Sequence, residues 1–88
     1  MPTTRKLILD VLKPHKPNAL DFSIALAALG NDYRVITTVT EVDKVTESTI
    51  VTIEGSNLCF DDIKSTIEQM GASIHSIDEV EVHGSSPT

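Results

Sequence analysis

The chain has 88 residues, 40% apolar and 23% charged, which suits one small globular domain and leaves no room for a second core. Seven Lys and Arg against thirteen Asp and Glu give a net charge of −6, the wrong sign for gripping nucleic-acid phosphates or an anionic lipid surface. Two Phe and one Tyr are too few for a base-stacking platform, and a single cysteine excludes an internal disulfide and a Cys-rich zinc site.

Residues 6–13 read as a short, buried strand rich in Leu, Ile and Val, which Pro14 and Pro17 stop by removing ladder donors. Asn18 is a helix cap with Asp21 three residues on, and Gly30 supplies a left-handed stop, so a helix is expected over 19–29. The β-branched run within 33–42 predicts a second strand. After a turn at 44–47, a third strand follows over 49–54, paired with the second as an antiparallel hairpin. A second helix begins near Cys59, carries Asp61 and Asp62 in its first turn where the dipole favours acids, and ends at Gly71. Residues 73–82 form the last strand. The domain is expected to span 1–83, with 84–88 a flexible polar tail.

The order strand, helix, strand, strand, helix, strand, with short connections and right-handed crossovers, predicts a ferredoxin-like βαββαβ sandwich of the α+β class. Two helices then cover one face of a four-stranded antiparallel sheet and leave the other open. If Leu7, Leu9 and Val11 face the helices, alternation puts Ile8, Asp10 and Leu12 on the open face, beside Ile50, Thr52 and Glu54.

The helices differ in pattern. In the second, Cys59, Phe60, Ile63, Ile67 and Met70 gather on one side and polar residues on the other. In the first, Leu20, Ile24 and Ala27 point one way while Phe22, Leu26 and Leu29 point nearly the opposite way, and only Asp21 and Ser23 are polar. A helix apolar all round is normally buried all round, yet a two-layer sandwich offers it one sheet. A domain of this size is also short of core, burying only about 60 to 65% of the surface its unfolded chain exposes. A second copy of the chain is therefore the expected cover, with Phe22, Leu26 and Leu29, or else Leu20 and Ile24, as the interface residues and the open sheet face as the second candidate surface.

Asp10, a carboxylate in the middle of a central strand, needs donors or water. It either pairs with Lys13, Thr52 or another subunit, or it holds a cation or cationic ligand. Glu41, Asp43 and Glu47 cluster near the hairpin tip, where oxygens of a hard divalent cation would converge; their spacing fits no EF-hand, and a solvated acidic turn is the ordinary reading of such a cluster. His15, His75 and His83 are too scattered for a zinc pattern, although the topology could bring His75 towards Lys13, Pro14 or His15. No catalytic triad, phosphate-cradling loop or dinucleotide fingerprint is present, and the glycines all sit at element ends.

The segments Leu9-Asp10-Val11-Leu12-Lys13-Pro14, Ile53-Glu54-Gly55 with Leu58 and Phe60-Asp61-Asp62-Ile63, and Ile74-His75-Ser76-Ile77-Asp78-Glu79-Val80 together resemble the archaeal domain-of-unknown-function family 211 over nearly the whole chain. The resemblance implies a ferredoxin-like fold, an archaeal cytoplasmic protein and small proteins that form rings or other oligomers. It implies no activity, and it marks Asp10, His75, Asp78 and Glu79 as ligand-binding residues to test. Cys59 departs from the family pattern, which has a capping Asn or Asp there.

These features support an uncharacterised, self-assembling binding or scaffold domain without catalytic activity. The alternative is a ligand- or metal-sensing module that binds a cation or small metabolite at a subunit interface; an enzyme is the least supported class. The expected partner is the chain itself, possibly as a ring, with neither nucleic acid nor membrane. No cofactor is expected, apart from a divalent cation if the acidic turn holds one. Arg5 and Lys6 precede only a short apolar stretch broken by Asp10, which is no signal peptide, so a cytoplasmic location is expected.

Overall fold

Strand β1 (Thr3–Pro14) is the spine of the domain, and its alternation sets the layers: Leu7, Leu9, Val11 and Lys13 are buried on one face, while Ile8, Asp10 and Leu12 lie on the other. The computed structural model describes residues 1–85. After β1 come α1 (Ala19–Ala27), β2 (Arg34–Val42), β3 (Thr46–Glu54), α2 (Phe60–Gln69) and β4 (Ser73–His83). The sheet order is β2-β3-β1-β4 with every pair antiparallel, so this is a ferredoxin-like α+β fold. The core joins Leu7, Leu9 and Val11 of β1 to Val51 and Ile53 of β3, Phe22 and Leu26 of α1, and Ile63 and Ile67 of α2.

Local chemistry explains most boundaries. The Asn18 side chain accepts the Asp21 N–H at 2.8 Å and caps α1 as expected. The helix nevertheless ends at Ala27, and Gly30 is not left-handed, since Gly71 is the only residue with positive φ (81°) among those described. Gly30 serves a close approach instead: a Cβ there would stand 2.5 Å from the Tyr33 ring. β3 begins at Thr46, earlier than the expected 49, because Thr46 and Glu47 find partners in Pro14 and Lys13 of β1. β1 likewise starts at Thr3, its first residues held by β4 and by the Gly55 and Leu58 N–H groups, which bond the Arg5 and Thr4 carbonyls at 3.0 and 2.8 Å. Of the expected tail, residues 86–88 lie outside the described part of the chain.

Phe22 and Leu26, expected at an oligomer interface, have no accessible surface and belong to the chain's own core, with Leu29 packed against it. The opposite stripe of α1 faces outward, with Leu20 68% and Ile24 56% exposed. The sheet also outruns its helices. A twelve-residue strand is about 40 Å long, whereas the nine residues of α1 rise only about 14 Å. Apolar side chains on the helix side are therefore left partly bare at both ends: Val39 and Val42 on β2, and Ile77 and Val80 on β4.

Candidate functional site

Two constellations of polar side chains stand out, one on each face of the sheet. On the open face, two neighbouring rungs build a shallow groove of about 290 Å³ lined by Asp10, Leu12, Ser48, Ser73 and His75. The first rung sets Ser48, Leu12 and Ser73 side by side across β3, β1 and β4; the second aligns Ile50, Asp10 and Ser76. His75 has no partner in the β1 ladder, because the register slips between Asp10 and Val11. It is thus the extra residue of a β-bulge, a device that re-aims a side chain, and here His75 joins the groove lining. Asp78 is the extra residue of a second bulge, between Ile8 and Leu9.

The structure therefore brings Asp10 and His75 together and sets the other two candidates apart. Asp78 accepts the Ser76 hydroxyl at 2.6 Å, and Glu79 pairs with Lys6 at 3.0 Å, which holds the Lys6 ammonium above its ordinary pKa. Among the described residues, Asp10 and His75 make no side-chain hydrogen bond or ion pair. Among the described residues, no hydrogen bond or ion pair joins Asp10 to Lys13, or His75 to Lys13 or His15. Lys13 stands three residues from Asp10 along a strand, an odd spacing that sends it to the opposite face.

On the helix side, Lys13 is wholly buried, its Nζ donating to the Pro14 carbonyl at 2.8 Å and to Glu47 Oε1 at 3.0 Å, 6.0 Å from the centre of the Phe22 ring. The other Glu47 oxygen meets His15 Nδ1 at 3.0 Å, and His15 Nε2 lies 3.1 Å from the Lys44 carbonyl. The hydrogen bonds from His15 and Lys13 hold the Glu47 carboxyl below its ordinary value, and the bond to Glu47, with the Lys44 carbonyl, raises His15. Glu47 is thereby committed to an internal network. Glu41 and Asp43 do not converge with it, and no three His, Cys, Asp or Glu side chains among the described residues are placed to share a metal ion. Glu41, Asp43 and Glu47 are thus spread out, with Glu47 in an ion-pair network that the acidic turn does not signal, although the run Leu7, Leu9, Val11, Lys13 shows which way Lys13 points.

Cys59 is exposed at the N-cap of α2 and makes no capping bond, and its N–H instead donates to the Tyr33 hydroxyl at 2.8 Å. No helix among the described residues is long and apolar enough to cross a membrane.

The model of the family DUF211, described as "Uncharacterized ArCR, COG1888", matches residues 5–86. The chain belongs to this family. It is also 53% identical over 76 residues, 86% of this chain and 78% of the relative, to "Uncharacterized protein MJ0319" of the archaeon Methanocaldococcus jannaschii. Neither description gives a DUF211 protein an activity, so a functional reading of this chain stands on its own surfaces.

Proposed function

We propose that this DUF211 chain is a self-assembling binding or scaffold domain without catalytic activity, and that a second copy covers the outer stripe of α1. The observation that carries the reading is the exposure of Leu20 (68%) and Ile24 (56%) on a helix whose other stripe already fills the core. Val39 and Val42 are likewise uncovered on the helix side of the sheet. Monomers seldom keep large contiguous apolar patches open to water, and like copies are the commonest cover. The reading moves the contact from Phe22 and Leu26 to Leu20 and Ile24. Sedimentation of Ile24→Lys tests it: the variant keeps its circular dichroism spectrum and drops to a lower mass than the parent. An Ile24→Lys variant of unchanged mass contradicts the reading.

A second reading, a module that senses a small ligand, is favoured by the open-face groove, where Asp10, Ser48, Ser73 and His75 converge beside Leu12.

A further inference from the structure

We infer that the open-face groove binds an aliphatic primary amine, and that a di- or polyamine fits it best. The inference rests on the second reading above and names its ligand class. The first support is charge. On the open face, Lys6 pairs with Glu79 at 3.0 Å and Arg34 with Glu54 at 3.2 Å, so both basic side chains at that end of the sheet are matched. Asp10 has no ion-pair partner among the described residues, nor does Glu41, which lies beside Ser48 on the same face. Asp10 and Glu41 are therefore two carboxylates at the groove end of the face without an ion-pair partner among the described residues.

The second support is hydrogen-bond geometry. An alkylammonium offers three donors and no acceptor. The groove answers with the Asp10 carboxylate, the Ser48 and Ser73 hydroxyl oxygens and a ring nitrogen of His75, while Leu12 between the serines gives the methylene chain an apolar floor. A bare divalent cation fits less well, since it wants six or more oxygens and the groove has one carboxylate.

The third support is span. Glu41 lies two strands across and one rung along from Asp10, a Cα separation of about 12 Å by ordinary sheet spacings. A triamine bound at Asp10 can set its far ammonium against Glu41, whereas a monoamine cannot.

Backbone amide NMR titrations with propylamine, spermidine and, separately, Ca²⁺ and Mg²⁺ test this at moderate salt. Spermidine should saturate shifts at Asp10, Leu12, Ser48, Ser73 and His75, binding about tenfold or more tighter than propylamine. Asp10→Asn should weaken both amines about tenfold or more, and Glu41→Gln should bring spermidine down to the level of propylamine while leaving propylamine unchanged. Glu41 is exposed and Asp10 half-buried, and the thermal midpoint checks that each variant is folded. Saturable groove shifts with Ca²⁺ or Mg²⁺ and none with either amine would overturn the amine class and keep the ligand-sensing reading. Silence with every probe would overturn both. Amine shifts spread over all the acidic residues and indifferent to Asp10→Asn would mark loose counterion binding and overturn the inference.

Discussion

Lys13 is an ammonium without accessible surface, held by one carboxylate and one carbonyl, and the arrangement makes stability depend on pH. His15 is raised above its ordinary 6.5, by the bond to Glu47 first and the Lys44 carbonyl next, so its contribution is complete below about pH 6.5 and is lost as pH climbs through the folded value. Glu47 is lowered below its ordinary 4.5, by His15 first and Lys13 next, so its contribution is complete above about pH 4.5 and is lost as pH falls through the folded value. As far as this network governs it, the melting temperature should crest between the two ordinary values and decline on the alkaline side. Thermal melts of the parent and His15→Gln across that range check this: the variant should lack the alkaline decline, and an equal decline in both would place its origin elsewhere. A second residue-scale expectation concerns Phe22, which is wholly buried. Phe22→Ala should cost about 3 to 5 kcal/mol, read as a large fall in the urea midpoint, whereas a cost below about 1 kcal/mol would mean that the site is not core.

At the scale of elements, two loops clasp one end of the sandwich. Tyr33, leading into β2, packs its ring on Gly30 and accepts the Cys59 N–H, and Asp32 accepts both the N–H and the hydroxyl of Ser56. Those two bonds from Ser56 hold the Asp32 carboxyl below its ordinary range. Tyr33→Phe removes one acceptor at the mouth of α2 and should cost about 0.5 to 1.5 kcal/mol, or roughly 4 to 8 °C of melting temperature per kcal/mol for a domain of this size. A melting temperature equal to the parent's would show that water replaces the hydroxyl fully. The alternation of β1 and the capping Asn18 were legible in the letters, and with them the layers and the start of α1. Which stripe of α1 turns inward was not, because Phe22-Leu26 and Leu20-Ile24 are equally apolar and only packing against the sheet separates them. The bulges at His75 and Asp78 carry no Gly or Pro signal, so the slip that places His75 beside Asp10 is set by pairing with β1 and not by local sequence. The acidic neighbours of Glu47 in sequence suggest a solvated turn or a cation site, whereas its partners, Lys13 and His15, come from β1 and the loop that follows it.

For the whole molecule, length mismatch is the governing fact. Strands of nine to twelve residues under helices of nine and ten leave apolar side chains bare on the helix side, and α1 adds a second greasy stripe. A chain short of core gains from sharing such a surface with a copy of itself. The proposed association through Leu20 and Ile24 would also make stability depend on concentration, since a partner that binds only the folded state raises the melting temperature. Light scattering of the unaltered protein over a dilution series tests the central claim most directly. The expected result is a mass that is a whole-number multiple of 9.5 kDa and that falls on dilution or on replacing Ile24 with Lys. A mass of 9.5 kDa at every concentration, high micromolar included, would contradict it.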